Sequence, residues 1–324
     1  MKPIIGQHHV SMFTKDASTN VAFYTKVMGL RFVKKTVNQD NVGMYHLFYG
    51  DKLGSPGTGV TFFELPNAGH ARKGTNSISS ISLAVASDEA LSFWKARLES
   101  SQVSVGEIVH EDGRASLTFS DPDDLTVHLV SVQGDKLYPP NAAWQVEDIP
   151  AQYALLGLGP AVLTVSDSAK TIDVLERLLG YKKTRSAKAM GDGAHDVTIF
   201  ETGTGGLSTE IHVKESALED KARPGRGSVH HVAIRVSNKE ELAGWASRIT
   251  AEGLKNTGIL DRHFFTSFYF WDPNGIVFEL ATDEGPGYEV SDETDVLHEP
   301  LSLPPFLEGR REEIESKLKP ITAF

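Results

Sequence analysis

Two histidine pairs stand at the heads of two strand-like segments that lie far apart in the sequence. The segment "HHVSMFT" begins at His8, and the similar segment "HHVAIRV" begins at His230. A glutamate, Glu279, stands inside a third apolar run, "IVFELAT". Imidazole and carboxylate groups on a rigid sheet can bind a divalent metal or move protons. The question is which of these side chains share one face of the sheet.

The alternation of side chains along a strand divides the residues of each pair between two faces. Val232 and its apolar partners two and four positions later define the face that a helix would cover. His231 falls on the opposite, concave face, and the same pattern places His9 there. Glu279 alternates with apolar neighbours in the same way. The pattern therefore predicts a metal site built from His9, His231 and Glu279, because two histidines and one carboxylate form the facial triad of non-haem Fe(II) oxygenases.

The first histidine of each pair falls, by the same alternation, on the face that the helix covers. His8 and His230 are therefore expected to support the neighbouring ligands rather than to bind the metal themselves.

Four segments of the chain share one plan, a strand followed by a helix and three more strands. The segments begin at "HHVSMFT", "ISSISLAVAS", "GPAVLTVSD" and "VHHVAIRVSN". The repeat predicts an α+β fold of four βαβββ modules with cup-shaped mixed sheets. We predict an N-terminal unit over residues 1–135, a C-terminal unit over residues 153–285 and a C-terminal arm over residues 286–324. If His9 joins His231, modules one and four must share one cup, and modules two and three must pair.

Composition restricts the classes of partner and compartment. The formal net charge is −11, which argues against nucleic acid and anionic membrane partners, since both need a basic surface. The 324-residue chain has no cysteine, which excludes disulfides and thiolate ligands, and no apolar run long enough for a membrane span. No signal peptide is apparent at the first residues, so a cytoplasmic location is expected. The sequence leaves open whether the chain forms a homo-oligomer.

Long stretches of the chain resemble one family of enzymes. They include "HHVSMFTKDASTNVAFYTKVMGLRFVKKTVNQD", "MYHLFYGDKLGSPGTGVTFF", "HARKGTN", "VHHVAI", "DRHFFTSFYFWDPNGIVFELATDEGPGY" and "PLSLPP". The chain resembles the hydroquinone-type ring-cleaving extradiol dioxygenases of the vicinal oxygen chelate superfamily, which also contains glyoxalase I and bleomycin-resistance proteins. The resemblance implies two glyoxalase-like domains.

The resemblance also implies an activity and a cofactor. The expected reaction is the cleavage of a hydroquinone or related dihydroxylated aromatic ring by dioxygen, with Fe(II) held by His9, His231 and Glu279. Another divalent metal can replace iron in the purified protein. The resemblance further implies catalytic roles for His8, His230, Arg262 and Tyr269. Arg262 could equally anchor its loop through Asp261, and Tyr269 could simply pack in a strand.

One glutamate keeps alternative functions open. The sequence "FFEL" aligns Glu64 with Glu279, and a second carboxylate ligand would resemble glyoxalase I, an isomerase or lyase without oxygen chemistry. We favour Glu64 as a residue of the strand end before Pro66. A third hypothesis is a non-catalytic binder of aromatic toxins, which would not need open positions on a metal.

Overall fold

The computed structural model describes residues 2–111, 113–133, 135, 143–216, 220–288, 290, 296 and 299–322. Within these ranges the chain forms the four predicted modules. Module one contains β1 (Gly6–Thr14), α1 (Ala17–Ala22), β2 (Arg31–Val37), β3 (Tyr45–Gly50) and β4 (Gly59–Glu64). Module two contains β5 (Ser77–Val85), α2 (Asp88–Ser100), β6 (Val105–Glu111), β7 (Arg114–Ser120) and β8 (Thr126–Ser131).

The second half of the chain repeats this order. Module three contains β9 (Gly157–Leu158), β10 (Ala161–Val165), α3 (Ser168–Asp173), β11 (Lys182–Ala189), β12 (Asp192–Glu201) and β13 (Ile211–Glu215). Module four contains β14 (Val229–Val236), α4 (Lys239–Ala251), β15 (Asn256–Asp261), β16 (Thr266–Trp271) and β17 (Val277–Thr282). Two short helices, α5 (Pro305–Glu308) and α6 (Arg311–Glu315), follow in the arm. None of the helices in the described ranges is long and apolar enough to cross a membrane.

Local sequence explains where the helices begin. Asp16 accepts a hydrogen bond from the Thr19 amide, and Asn238 accepts one from the Glu241 amide, so both act as N-caps. The first helix continues as a π-helical turn over Phe23–Val27 and ends before Gly29, whose φ of 63° is the left-handed conformation that glycine adopts readily.

The modules combine into two sheets across the halves of the sequence. The first sheet has the order β15-β16-β17-β14-β1-β4-β3-β2, and the second has the order β11-β12-β13-β10-β5-β8-β7-β6. Modules one and four therefore share one sheet, and modules two and three share the other, as predicted. The α+β prediction is confirmed, while the predicted boundaries at residues 135, 153 and 285 stay predictions.

The apolar faces of the central strands pack under the helices. Val10, Met12, Val232 and Ile234 are almost fully buried in the main core, together with Trp245 of α4 and its neighbours. These are the faces that the period-two pattern assigned to the helices. The opposite face of the first sheet is concave, and we call it the cup.

The described part of the arm packs on module one. Ser302 donates its backbone N–H to the Lys35 carbonyl, and Lys319 forms an ion pair with Asp16. Leu307 and Ile314, from the two arm helices, are buried in the main core.

The concave face of the second sheet is filled by its own polar side chains. Glu210 is 1% exposed and accepts hydrogen bonds from Arg114 and His212. Burial raises the pKa of Glu210, but these hydrogen bonds outweigh it and lower the pKa to about 2. A cavity of only 30 Å³ remains there.

Beside this network, His128 is buried and neutral. Its Nδ1 lies 2.8 Å from Thr118 Oγ1, and its Nε2 lies 3.0 Å from Ser80 Oγ. Burial, with a smaller contribution from His212, lowers the pKa of His128 from 6.5 to about 4. Protonation of this imidazole in the folded protein would place a charge in the core.

We predict that His128→Gln weakens the pH dependence of folding stability. Between pH 6.5 and about 4 the unfolded chain binds a proton at His128 and the folded chain does not, so stability falls as the pH falls. The free energy of unfolding that His128 accounts for in this window is roughly 3 kcal/mol. The free energy of unfolding, measured with urea at several pH values in this window, should change less with pH for His128→Gln than for the wild type. An equal pH dependence of the free energy of unfolding in the variant and the wild type would contradict the prediction.

Candidate metal centre

The two histidine pairs meet at the seam between β1 and β14, the central pair of strands in the first sheet. The strands are antiparallel, with His9 opposite Ala233 and Ser11 opposite His231. This pairing brings together residues that are 222 positions apart, and His9 Nε2 lies 3.2 Å from His231 Nε2.

Each strand carries a β-bulge at the first histidine of its pair. The register of β1 shifts between Gln7 and His9, and that of β14 shifts opposite Ser11 and Met12, so His8 and His230 are the additional residues. A bulge changes the direction of a side chain in an otherwise regular strand. The prediction that His8 and His230 lie on the helix-covered face was wrong. His230 lines the cup, and His8 packs against Phe265 on the cup side.

Three ligand atoms converge in the cup. Glu279 Oε2 lies 2.8 Å from His231 Nε2 and 3.1 Å from His9 Nε2. With the 3.2 Å distance between the two nitrogens, these atoms form a nearly equilateral triangle. Ligands on one face of an octahedral site with bonds of about 2.1 Å are separated by about 3.0 Å. The triangle therefore fits one face of an octahedral metal site and leaves the opposite positions open.

Burial and charge favour the protonation states that a metal needs. All three residues are at most 2% exposed, and they are the one group of three metal-ligand side chains found in the described part of the chain. Burial raises the pKa of Glu279, but His9 and His231 hold it well below its usual range. Burial lowers the pKa of His231. A neutral imidazole and an ionised carboxylate are the forms that bind metals.

One carboxylate oxygen of Glu279 has no hydrogen bond among the described residues. Glu279 Oε1 accepts a hydrogen bond of 2.5 Å from Ser267 Oγ. Glu279 Oε2 is buried and has no hydrogen-bond partner among the described residues, although both imidazole nitrogens are close. A buried carboxylate oxygen without a partner is unfavourable, and a divalent cation would supply the missing interaction.

The neighbouring histidines hold the rings of the two ligand histidines. His8 Nδ1 lies 2.9 Å from His9 Nδ1, and His230 Nδ1 lies 2.7 Å from His231 Nδ1. Burial lowers the pKa of His8 and that of His230 to about 3, so both are neutral. If each ligand ring donates its Nδ1–H to its neutral neighbour, its Nε2 lone pair faces the triad, which is the usual support of a metal-bound histidine.

A cavity of 320 Å³ lies directly over the triad. Aromatic side chains form much of its wall, and polar side chains, among them Asn38, Gln39 and Asp40, line other parts. The aromatic walls include Phe48, Phe63, Phe264, Phe265 and Trp271. Binding sites for small molecules combine predominantly apolar walls with a small number of directed polar groups.

The chain matches a known protein family over most of its length. A family model matches residues 6–129 and 157–280, and its description is "Glyoxalase/Bleomycin resistance protein/Dioxygenase superfamily". The chain belongs to this superfamily. Both matched ranges lie within the predicted units, residues 1–135 and 153–285.

Members of the superfamily with ring-cleaving names are similar over nearly the whole chain. The chain is 47% identical over 316 residues to "Putative ring-cleaving dioxygenase MhqA" of Bacillus subtilis (strain 168), with 98% of each chain covered. It is 28% identical to "Chlorohydroquinone/hydroquinone 1,2-dioxygenase" of Sphingobium indicum, with 95% of this chain and 94% of the relative covered. The prediction of a ring-cleaving dioxygenase of this superfamily agrees with both relatives.

A solved structure has the same fold. The crystal structure of a "putative dioxygenase" from Bacillus subtilis superposes with a TM-score of 0.88 at 30% sequence identity. The superposition covers 100% of this chain and 99% of the other.

Arg262 and Tyr269 both line the cup. The two terminal nitrogens of Arg262 lie 3.3 and 2.8 Å from the carboxylate oxygens of Asp40 in module one. The alternative of an anchor through Asp261 is not what the structure has, because Asp261 accepts the His263 amide. The Arg262 guanidinium lies 5.6 Å from the centre of the Tyr269 ring, which in turn contacts His231 edge-on.

Glu64 is not a fourth ligand. Its carboxylate accepts the Ala17 amide at the start of α1, and it is absent from the triad. The register places Thr61 opposite Ser11, where Glu279 stands opposite Ala233 in module four. Thr61, three positions from Glu64 and therefore on the other face, is the structural equivalent of Glu279.

His46 is a cup residue that the sequence analysis did not assign. Its ring lies between Phe48 and Phe63, with centroid distances of 3.9 and 4.1 Å, and its Nε2 lies 3.2 Å from Thr61 Oγ1. Burial, with charge from His9 and His231, holds the pKa of His46 well below its usual range. The sequence feature that could have pointed to His46 is a polar residue inside the apolar strand "YHLFYG".

We predict that Gly59→Ala displaces the His9 ligand. A Cβ at Gly59 would lie 2.8 Å from the Cβ of His9, which is closer than side chains pack. The free energy of unfolding of the variant, measured with urea, should be lower than that of the wild type by roughly 1–3 kcal/mol. The variant should also bind divalent metal more weakly in competition with a chelator. Gly106→Ala, whose Cβ would meet its nearest atom at 3.4 Å, serves as the control in another strand. Equal metal affinity in both variants would contradict the prediction.

Proposed function

We propose that this protein is an Fe(II)-dependent extradiol-type dioxygenase that opens the ring of a hydroquinone or a related dihydroxylated aromatic. The observation that carries the proposal is the triangle of His9 Nε2, His231 Nε2 and Glu279 Oε2 beneath an aromatic cavity. Two imidazoles and one carboxylate with open positions are the ligand set of non-haem Fe(II) oxygenases.

The iron would supply open positions for a deprotonated ring hydroxyl and for dioxygen, and a path for electrons between them. His9, His231 and Glu279 would hold it. Other divalent metals also suit these ligands, so the ligand set favours Fe(II) only together with the oxygen chemistry.

The size and lining of the cavity support a substrate with one ring. An engineered protein cavity of about 150 Å³ is large enough for benzene. The 320 Å³ cavity therefore has room for a ring with hydroxyl groups and small substituents. Its aromatic walls favour a flat, neutral molecule, and the relative named for chlorohydroquinone and hydroquinone supports this substrate class.

Two side chains beside the triad can control the charge and protons of the substrate. Burial lowers the pKa of Arg262, but Asp40 outweighs it and keeps the guanidinium charged, so Arg262 can stabilise a ring oxygen that has lost its proton. Burial and the Glu279 carboxylate hold the pKa of Tyr269 well above its usual range. Tyr269 therefore keeps its proton and can donate a hydrogen bond to an oxygen atom in the cup.

The alternative of a glyoxalase-type isomerase or lyase loses its main support. It required a second carboxylate ligand, and Thr61 occupies the equivalent position while Glu64 caps α1. The partners that we propose are a small aromatic substrate and dioxygen. A cytoplasmic location is part of the same proposal.

We expect oxygen uptake after anaerobic reconstitution with Fe(II) and addition of hydroquinone, methylhydroquinone or catechol. Dioxygen should be consumed one-to-one with the substrate, and the ring-opened product should appear by absorbance. Glu279→Gln should lose bound iron and activity, because it removes the charged ligand. Glu64→Gln, the matched control, should keep both. Bound metal without oxygen uptake on any of the three substrates would reject the dioxygenase proposal.

We also expect Tyr269→Phe to lower kcat by about tenfold to a thousandfold with little change in iron content, since it removes one positioned hydrogen-bond donor. The KM of the ring substrate should change much less than kcat, because the aromatic packing remains. A variant with wild-type kcat would show that Tyr269 only packs in its strand.

A further inference from the structure

A second cavity, which we call the side chamber, adjoins the cup. It has a volume of 260 Å³ and lies where β5 of the second sheet approaches β14 of the first. The cup and the side chamber share three lining residues, Phe13, His230 and Val277. The rings of Phe13 and His230 are in edge contact, with centroids 5.2 Å apart, so these side chains form the common wall.

The rim of the side chamber is basic. Arg72, Lys73 and Arg223 line it, and all three are exposed, so the chamber reaches the protein surface at this rim. Two of these residues belong to paired segments, in which Arg72 and Arg223 form a backbone bridge. The motif "HARKGTN" supplies Arg72 and Lys73.

Two of the three positive charges have no acidic partner in the described ranges. Arg72 pairs with Asp220. The Lys73 ammonium donates to Thr126 Oγ1 at 2.8 Å, which keeps it on the chamber wall, and no ion pair joins Lys73 or Arg223 to a carboxylate of the described chain. In a chain with a net charge of −11, this rim is a local positive site.

The interior of the side chamber is partly apolar. Ile78, Val229 and Ile276 contribute apolar surface, and Asn76 and Ser79 contribute polar groups. An apolar interior with a cationic rim suits a small organic anion, whose hydrocarbon part is buried while its charge meets the rim.

We propose that the side chamber binds the carboxylate product of ring opening as it leaves the cup. The inference rests on the proposed function. Cleavage breaks one ring carbon–carbon bond and adds both atoms of dioxygen, so that one carbon becomes a carboxylic acid and the other a carbonyl. The two electron pairs that reduce dioxygen come from the ring. The acid loses its proton near neutral pH, so a neutral substrate becomes an anionic product.

This change of charge gives the side chamber its selectivity. The neutral substrate gains little from a cationic rim, whereas the product gains an attraction that did not exist before the reaction. The product would pass the wall formed by Phe13 and His230 and reach Lys73 and Arg223. The aromatic cup would then be open to the next substrate.

The test measures anion binding under anaerobic conditions by calorimetry. The probe is sorbate, a stable six-carbon unsaturated carboxylate, added to the Fe(II)-loaded protein with and without excess hydroquinone. We expect sorbate to bind equally in both cases, because hydroquinone occupies the cup and sorbate occupies the side chamber. Sorbyl alcohol, which has the same carbon chain without the charge, should bind much more weakly. Binding that disappears when hydroquinone is present would overturn the proposal.

Matched variants locate the site. Changing Lys73→Gln and Arg223→Gln together should weaken sorbate binding by about tenfold or more, because two charged donors are lost. Lys221→Gln removes the same charge from the neighbouring segment outside the chamber lining and should leave binding unchanged. Equal affinity in the double variant and the wild type would overturn the proposal, as would the absence of sorbate binding.

A final measurement separates this inference from the proposed function. The purified ring-opened product should displace sorbate from the wild-type protein, and failure to displace it would overturn the product assignment. Oxygen uptake with hydroquinone is measured on the same preparations. Normal uptake without displacement rejects only the binding of product in the side chamber, whereas no uptake on any ring substrate rejects the dioxygenase proposal itself.

Discussion

The antiparallel pairing of β1 with β14 is the constraint on which the site depends. It is the seam of the first sheet, and it brings His9 within 3.2 Å of His231. On its other edge β14 pairs with β17, which adds Glu279 to the two histidines. A sheet can hold ligand atoms at fixed separations because its backbone hydrogen bonds and buried apolar face determine the register. A shift of one residue in β1 would turn His9 away from the cup.

The sequence alone was sufficient to predict the four modules and the face on which His9, His231 and Glu279 lie, because both depend on local periodicity. Four repeats gave the fold, and alternation placed His9, His231 and Glu279 on the concave face. What alternation cannot describe is an added residue in a strand, and for this reason His8 and His230 were assigned to the wrong face. The pairing of Arg262 with Asp40 depends on a contact between modules one and four that no local pattern contains. The place of His46 between Phe48 and Phe63 depends on the pairing of β3 with β4.

The two sheets show what the same scaffold does with and without the triad. In the second sheet a β-bulge falls near Ser79, the position equivalent to His8. Both sheets therefore have a bulge at this position. Ser80 stands where His9 stands, and hydrogen-bonded and ion-paired groups around Glu210 fill the concave face. Buried charges are stable only when they are paired, and here the protein supplies the pairing itself. In the first sheet Glu279 Oε2 is buried without a hydrogen-bond partner among the described residues, and a bound cation would supply that pairing.

The crossed pairing of the modules also has a consequence for the order of events during synthesis. Because β1 pairs with β14, β1 is synthesised long before its partner strand, and this edge of β1 stays uncovered until β14 has been made. Contacts between such distant residues form slowly, and an uncovered edge is open to incorrect partners. Modules two and three are both complete before module four, so their sheet can assemble first and hold the two ends near each other. The half of the molecule without a metal triad would thus act as an internal template for the half that has one.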